Sequence, residues 1–389
     1  MPEPASPASP AEPRTVGVEE EMLLVERETG RAMSLQGQVL AEVTERTAQA
    51  VEEGAPAGDA IGGLLEGELN EEQIEVDSQP HADLETLGGE LLAWRRRADL
   101  AARRLGARVA AIGLSPVPVD PHTVDTERYR RLSEQYGITA DEQLTCGCHV
   151  HVSVADRAEA VAVIDRIRPW LPVLLALSAN SPFWQGRDSS YASYRSLVQN
   201  RWPSAGPTEV FGSAETYDRL VADMVGTGVI LDAGMVYFDA RASHRYPTVE
   251  IRVADVCLDV RDTILLAALC RALVDRAGAE AAAGSEIPDV PVTMLRLASW
   301  QAARAGMSGD LVDPLTMRRA AAWDVVERLV DHVRPALRAN GDDGLVQEGL
   351  ERIRLHGTGA HRQRAVHERT GTLEDVVADA VRLTAGMAD

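Results

Sequence analysis

The chain has 389 residues, of which 45% are hydrophobic, as is typical of a globular protein with a large core. Its formal net charge of −21 argues against a surface that binds nucleic acid or an anionic membrane, because both require clustered positive charge. All 39 basic residues are arginine, so the chain contains no lysine. This absence excludes a Walker A loop, a protein-kinase site and a pyridoxal-phosphate site, since each needs a lysine.

The chain is expected to be a cytoplasmic protein with one catalytic domain. Residues 1–13 are rich in proline, alanine and glutamate and are predicted to be a disordered tail, without the apolar core of a secretory signal. Residues 14–389 show no repeat and no clear linker, so they are predicted to form a single domain. The four cysteines are expected to be reduced thiols, and no apolar run is long enough to span a bilayer.

The hydrophobic pattern predicts a mixture of strands and helices. One helix has apolar residues at spacings of three and four and an outer face rich in arginine. The expected elements, in chain order, are a strand over 15–25, a helix over 87–105, a strand over 107–116, a helix over 156–177, an ordered loop over 178–212, a helix capped by Ser213, a hairpin-like pair of strands over 234–243 and 248–255, and mostly helices after 259.

The segment TCGCHVHVSV at 145–154 combines two cysteines with two histidines. In a strand, side chains alternate between faces, so Cys146 and Cys148 lie with the valines while His149 and His151 lie on the opposite face. A single zinc ion could not collect both kinds of ligand from one regular strand. A zinc hydrolase or sensor that uses CGCHVH therefore stays an alternative only if the segment is a loop.

Other segments also place charged side chains on the face opposite an apolar one. These side chains are Glu19 and Glu21 in GVEEEMLL, Glu68 and Glu75 in GELNEEQIEV, Asp239 and Arg241 in YFDARAS, and Glu250 and Arg252 in TVEIRVAD. Glu20 falls on the apolar side, and Glu68 shares a face with Glu75 only if a bulge lies between Leu69 and Ile74.

Carboxylates that crowd one sheet repel each other unless cations lie among them. Carboxylate oxygens with one imidazole suit Mg²⁺ or Mn²⁺, and neighbouring arginines suit anionic groups of a substrate. Clustered divalent metals with arginines and no lysine favour phosphoryl transfer from ATP. The residues alone do not indicate what accepts the phosphoryl group.

Several motifs, in this order, resemble the carboxylate–amine ligases of the glutamate–cysteine ligase type 2 family. They are GVEEEMLLV, GELNEEQIEV, TCGCHVHVSV, ALSANSPFWQGRDSSYASYR, NRWPSAGP, YPTVEIRVAD and, at 357–364, GTGAHRQR. The resemblance implies an α+β, glutamine-synthetase-like catalytic fold, in which an antiparallel β-sheet forms a funnel backed by helices. It also implies ATP-dependent joining of a carboxylate, typically the γ-carboxylate of glutamate, to an amine such as that of cysteine, through an acyl phosphate.

The resemblance also implies roles for individual residues. The expected metal ligands are Glu19, Glu21, Glu68, Glu75, His149 and Glu250, with His151 left open. Arg252 resembles the arginine that steadies the transferred phosphoryl group, and Arg252, His149 and Glu75 are the expected catalytic residues. The expected cofactors are ATP and Mg²⁺ or Mn²⁺, and the expected partners are a small-molecule carboxylate and amine.

Three further sets of residues each allow two interpretations. Tyr191, Tyr194 and Arg195 either bind substrate, with Arg195 holding a carboxylate, or pack within the loop. Arg241 either pairs with Asp239 or contacts the nucleotide or substrate. The GTGAHRQR segment either closes over the nucleotide, with Arg364 as a contact, or is a surface loop.

The sequence does not identify the physiological substrates. A ligase for a specialised carboxylate or amine of secondary metabolism stays an alternative. Residues of the substrate pocket would distinguish it from a glutamate–cysteine ligase, and the sequence does not place those residues. The sequence also leaves open whether the chain assembles into a homo-oligomer.

Overall fold

The computed structural model describes residues 13–52 and 62–387. The predicted disordered tail therefore lies, apart from its last residue, outside the described residues. The strands are β1 (Val16–Glu26), β2 (Leu64–Gly67), β3 (Gln73–Asp77), β4 (Ala107–Ala110), β5 (Gly147–Ser153), β6 (Phe183–Trp184), β7 (Arg187–Asp188), β8 (Ala240–Ala242), β9 (Thr248–Asp255), β10 (Asp310–Asp313) and β11 (Arg318–Ala321).

The helices are α1 (Gln36–Glu52), α2 (Leu84–Arg104), α3 (Glu127–Tyr136), α4 (Ile138–Asp141), α5 (Arg157–Ile167), α6 (Leu171–Ser178), α7 (Arg195–Gln199), α8 (Ala214–Gly226), α9 (Val260–Ala282), α10 (Val292–Ala305), α11 (Ala322–Asn340), α12 (Asp343–His356), α13 (Gly359–Thr370) and α14 (Leu373–Thr384). Helices α1 to α8 lie between strands of the central sheet in the chain, and α9 to α14 follow β9. The predicted cap is confirmed, because the Ser213 side chain accepts a hydrogen bond from the Thr216 backbone at the start of α8.

The central sheet has the strand order β2-β3-β1-β5-β9-β8, with antiparallel pairing throughout, and β4 pairs with the end of β1. Its register brings polar side chains of separate strands opposite each other. Glu21 lies opposite Glu75, Glu19 lies opposite His149, and Glu250 lies opposite His151. The predicted α+β class and antiparallel sheet are therefore confirmed, whereas the single domain over 14–389 stays a prediction.

The two faces of the sheet differ in chemistry, as the period-2 pattern predicts. Val18, Met22, Val150 and Ile251 are buried in a large hydrophobic core on one face. Helices α2 and α9 pack on each other and on the strands behind this face. The opposite face is polar, and it carries the glutamates and histidines of β1, β3, β5 and β9.

One charged pair is buried on the apolar face. Glu20, whose position in β1 places it there, receives two hydrogen bonds from Arg95 of α2, at 2.8 and 2.6 Å. Both side chains are fully buried, and Arg95 also donates to the carbonyl oxygen of Cys257. The arginine-rich outer face predicted for this helix is thus incomplete, since Arg95 points inward to neutralise Glu20.

Several predicted elements differ from the structure. The strand expected over 107–116 is only β4 (Ala107–Ala110), and the helix expected over 156–177 is divided into α5 and α6. The strand expected over 234–243 shrinks to β8, because Asp232 starts a 3-10 turn, Ala233–Met235, by accepting from the Gly234 backbone. The bulge expected between Leu69 and Ile74 is absent, and a register shift lies between β5 and β9 beside His149 instead. The loop expected at 357–364 is mostly the start of α13.

Arg95→Met should destabilise the fold by about 3–5 kcal/mol, because Glu20 would be left buried without its partner. The double variant Glu20→Leu/Arg95→Met should recover most of this loss, since both charges are then removed. Urea unfolding of the wild type and both variants measures the two differences. Equal stability of Arg95→Met and wild type would contradict the assigned role of the pair.

Candidate active site

The polar face of the sheet forms the floor of an open cleft. Side chains from five strands meet there, although they are far apart in the chain. The acids and histidines that line the cleft are Glu19 and Glu21 of β1, Glu66 of β2, Glu75 and Asp77 of β3, His149 and His151 of β5, and Glu250 of β9, with Glu68 from the turn after β2. The expected set of metal ligands therefore converges in one place.

Three groups of these side chains could each hold a metal ion. Within each group, the potential ligand atoms lie within 4.8 Å of one another. The groups are Glu21, Glu68 and Glu75; Glu19, Glu75 and His149; and Glu19, His151 and Glu250. The first group offers only carboxylate oxygens, which suit Mg²⁺, and the other two add one imidazole each, which Mn²⁺ also accepts.

Glu68 reaches the cleft through a turn between β2 and β3, not through the predicted bulge. The Gln36 amide holds this turn, because its Nε2 donates to the backbone oxygens of Glu68, Asn70 and Gln73 at 2.9–3.0 Å. Gln36 opens helix α1, some thirty residues earlier. No pattern in the sequence pointed to Gln36, because its contacts are with backbone atoms.

Glu68 and Glu75 are held together in a way that favours a shared proton. Burial and the nearby Glu21 carboxylate raise the pKa of Glu68 to about 7. Burial and the Glu68 carboxylate raise the pKa of Glu75 well above its usual range. Oxygen atoms of the two carboxyl groups lie within 4.8 Å of each other, so a proton on one of them would relieve their repulsion. A divalent cation would take the place of that proton.

Glu19 is the acid that both histidines stabilise. Its carboxylate contacts His149 Nδ1 at 2.8 Å and His151 Nε2 at 2.9 Å. Although burial alone would raise the pKa of Glu19, these hydrogen bonds hold it well below its usual range. Burial and Arg252 lower the pKa of His149, whereas Glu19 raises the pKa of His151 in spite of burial. His151, which the sequence left open, is thus placed as firmly as His149.

Glu250 lies between two arginines. Arg241 Nε contacts its carboxylate at 2.6 Å, and Arg252 donates to its other oxygen. Burial alone would raise the pKa of Glu250, but the two guanidinium groups hold it at about 2. The ion pair considered between Arg241 and Asp239 is therefore wrong, because the register of β8 and β9 places Arg241 opposite Glu250.

Arg195 is buried at the inner end of this region, with 3% of the residue exposed. Its guanidinium occupies the space that a side chain at Gly147 would need, since a Cβ there would lie 2.1 Å from Arg195 Nη2. Because Gly147 has no side chain, the Arg195 guanidinium fits against the polar face of the sheet at this point. Gly147 lies two residues before His149 in β5, on the same face. This contact explains why the motif has a glycine at that point.

Three predicted site residues lie outside the cleft. Tyr191 and Tyr194 pack against each other, with ring centroids 5.6 Å apart, and neither lines the cleft. Arg364 of α13 pairs with Asp188 at 2.6 Å and donates to the Tyr191 carbonyl oxygen. The segment expected to close over a nucleotide is thus a helix that packs on the loop around Asp188.

The cysteines do not take part in the candidate metal groups. In the part of the chain that the structure describes, none of these groups contains a cysteine. Burial raises the pKa of Cys146 and of Cys148 well above the usual range, so both stay neutral thiols, and thiolates are the zinc ligands. The alternative of a zinc hydrolase or sensor built on CGCHVH has no support in the structure.

Comparison with known proteins places the chain in a family. The family model described as glutamate-cysteine ligase family 2 (GCS2) matches residues 15–379. A Streptomyces avermitilis protein named "Putative glutamate--cysteine ligase 2-1" is 55% identical over 373 residues, which cover 96% of this chain and 100% of that protein. The chain belongs to glutamate–cysteine ligase family 2.

Solved structures share the fold of this family member. Glutamate–cysteine ligase from Francisella tularensis, in complex with AMP, matches with a TM-score of 0.67 at 12% identity, over 96% of this chain and 88% of that one. A bifunctional glutathione synthetase from Pasteurella multocida matches with a TM-score of 0.66 at 15% identity, over 96% of this chain and 52% of that one. The predicted glutamine-synthetase-like fold is confirmed, and family membership supports an ATP-dependent ligase.

No helix among the described residues is long and apolar enough to cross a membrane.

Metal binding by this family member should strengthen as the pH rises through 7. The raised pKa values of Glu68 and Glu75 keep a proton in the cleft below pH 7, and a divalent cation must displace it. For each displaced proton, the affinity for Mn²⁺ should rise about tenfold per pH unit below the pKa. Calorimetric titrations at pH 6, 7 and 8, in buffers of different ionisation enthalpy, measure both affinity and proton release.

The variant Glu68→Gln provides the control, because it removes one of the two acids that share the proton. It should release fewer protons than wild type on binding Mn²⁺. An affinity that does not change between pH 6 and 8, without proton release, would show that these carboxylates do not bind the metal.

Proposed function

We propose that this protein is an ATP-dependent carboxylate–amine ligase that forms an amide through an acyl-phosphate intermediate. The substrates best suited to the family and to the cleft are the γ-carboxylate of glutamate and the amine of cysteine or a related compound. The observation that carries the proposal is the convergence of Glu19, Glu75, His149 and Glu250, from four strands, in one cleft beside Arg252.

The cleft fits divalent metals and a nucleotide triphosphate on chemical grounds. Mg²⁺ or Mn²⁺ held there would supply positive charge that neutralises the phosphates in the transition state. Residues that would hold the ions are Glu19, Glu21, Glu68, Glu75, His149, His151 and Glu250. Because the chain has no lysine, the remaining positive charge near the phosphates comes from arginines such as Arg128, Arg241 and Arg252, which all line the cleft.

Arg252 is the group proposed to steady the transferred phosphoryl group. Its guanidinium lies beside Glu250, and the Glu250 and Glu19 carboxylates raise its pKa in spite of burial, so it keeps its charge. Its position is set by two contacts, since Glu250 holds one side and the Tyr237 ring lies 5.9 Å from its Cζ. A charge fixed in this way stabilises a transition state without reorganisation.

The proposed reaction has two steps. A substrate carboxylate oxygen first bonds to the γ-phosphorus of ATP, the bond from that phosphorus to the bridging oxygen breaks, and ADP leaves. The amine nitrogen then bonds to the acyl carbon, the carbon–oxygen bond to phosphate breaks, and inorganic phosphate leaves while the nitrogen loses its extra protons. The first step turns a carboxylate oxygen, which is a poor leaving group, into a good one.

We infer a cytoplasmic location from the state of the thiols. All four cysteines, Cys146, Cys148, Cys257 and Cys270, are free and buried. Free thiols are typical of a reducing compartment. No observation favours a specialised substrate of secondary metabolism over glutamate and cysteine.

Glu250→Gln should lower the rate of ADP release with glutamate and cysteine by about 100-fold or more, because it removes a metal ligand and the partner of two arginines. The protein should stay folded, since the substitution keeps the shape of the side chain. A coupled assay of ADP release with a panel of carboxylates and amines measures the effect. Circular dichroism and thermal unfolding check the fold.

Glu348→Gln is the matched control, because Glu348 is exposed on α12, far along the chain from the cleft strands. It should release ADP at the wild-type rate. Wild-type turnover in Glu250→Gln, or ADP release that does not depend on any carboxylate and amine, would overturn the proposal.

A further inference from the structure

A second pocket lies behind the metal cleft and shares part of its wall. We call it the inner pocket, and it is lined by Arg195, Asp239 and Ser299 together with His149 and Arg252, which also face the cleft. Only shared side chains therefore separate the inner pocket from the place where the phosphates are proposed to bind. A ligand in the inner pocket would lie next to the reaction centre.

The inner pocket holds a buried cation that is incompletely paired. Arg195 Nε is buried and has no hydrogen-bond partner among the described residues. The nearest acid is Asp255, whose carboxylate lies 3.9 Å from Arg195 Nη1 and already accepts hydrogen bonds from Asn180, Ser181 and Ser193. A buried guanidinium with an unused donor favours an anionic ligand.

The inner pocket also holds an acid without a partner. Among the described residues, no basic side chain forms an ion pair with the Asp239 carboxylate, and no group donates a hydrogen bond to it. Its neighbour Arg241 pairs with Glu250 instead. Burial raises its pKa to about 7, and the Arg296 guanidinium lowers it only in part. Asp239 and Arg195 line the same pocket and are not paired with each other, so Asp239 has no ion-pair partner and Arg195 has only the distant Asp255.

We propose that the inner pocket binds the head group of an α-amino acid, with its carboxylate on Arg195 and its ammonium on Asp239. A zwitterion of this kind would satisfy both unpaired charges at once, whereas a simple amine or a simple acid would satisfy only one. The inference rests on the proposed function, because both glutamate and cysteine carry such a head group. Asp239 is then a residue that selects substrates with an ammonium group.

The inner pocket also has a neighbour on a side other than the metal cleft. A further cavity is lined by Asp239 and Ser299 as well, and its outer residues are Arg201, Arg296 and Trp300. Trp300 is about half exposed, with 46% of its surface accessible, so this cavity opens towards solvent. The inner pocket therefore adjoins a solvent-facing cavity that is distinct from the metal cleft.

The test uses substrates and analogues that lack one charge. L-glutamate is compared with glutarate, and L-cysteine with 3-mercaptopropionate, since each analogue lacks only the amino group. L-cysteine is also compared with cysteamine, which lacks only the carboxylate. Calorimetric titration of the full-length protein, with Mg²⁺ and ADP present, measures each affinity for wild type, Asp239→Asn and Arg195→Met.

Wild type should bind at least one amino acid about 10- to 100-fold more tightly than its deaminated analogue, which is the factor for one charge-assisted hydrogen bond. Asp239→Asn should lose this preference, and its affinity for the deaminated analogue should equal that of wild type. Arg195→Met should bind both the amino acid and its deaminated analogue more weakly than wild type does. The pair that responds, glutamate with glutarate or cysteine with 3-mercaptopropionate, identifies which substrate occupies the pocket.

Two controls separate binding from folding. Asp223→Asn changes an exposed carboxylate of α8 and should leave every affinity unchanged. Asp239→Asn should unfold at a temperature no lower than wild type at pH 8, because it removes a charge that burial disfavours.

The inference is overturned if wild type binds neither amino acid, if it does not prefer them to their analogues, or if Asp239→Asn binds as wild type does. The proposed function fails separately. Amino-acid binding that depends on Asp239, without any ADP release, would support the inner pocket and contradict the ligase.

Discussion

Repulsion among carboxylates on one face of the sheet is the constraint that organises this protein. Two carboxylates about 5 Å apart repel by roughly 1–3 kcal/mol, depending on the local dielectric. The fold offsets this repulsion in three ways. The raised pKa values of Glu68 and Glu75 favour a proton between them, Glu19 lies between two histidines, and Glu250 lies between two arginines. The proposed metal ions would replace that proton and would use Glu19 and Glu250 as further ligands.

The sheet holds the acids of the cleft in fixed positions relative to one another. Glu19, Glu21, Glu75 and Glu250 are held in place, because each belongs to a strand that is hydrogen-bonded on both sides. Strands β1, β3 and β5 are also packed against α2 or α9. The buried pair of Glu20 and Arg95 fixes the back of β1, directly behind Glu19 and Glu21. The proposed divalent cation would bind such a cleft with little reorganisation, and it would in turn stabilise the fold by mass action.

Much of the site could be predicted because successive side chains of a strand point to opposite faces of the sheet. That rule placed Glu19, Glu21, His149 and Glu250 on one face, and it also marked Glu20 as an exception on the other. It could not pair that exception with Arg95, since the choice of partner depends on how α2 packs. Family resemblance added the fold and the joining of a carboxylate to an amine, which no spacing of residues contains.

Predictions failed where the chain leaves regular strands. Glu68 enters the cleft from a turn that Gln36 holds through backbone oxygens, and such contacts leave no pattern in a sequence. Glycine-rich GTGAHRQR suggested a loop, but Gly357 only ends α12 before Gly359 begins α13. The position of Arg195 depends on the missing side chain of Gly147, which alternation alone does not reveal.

The most direct test of the account is a crystal structure with Mn²⁺ and a non-hydrolysable ATP analogue, in which anomalous scattering locates the metal. The account predicts manganese peaks within about 2.5 Å of carboxylate oxygens of Glu19 or Glu75, with the γ-phosphate facing Arg252. Manganese and nucleotide bound elsewhere, with these side chains still paired to one another, would contradict it.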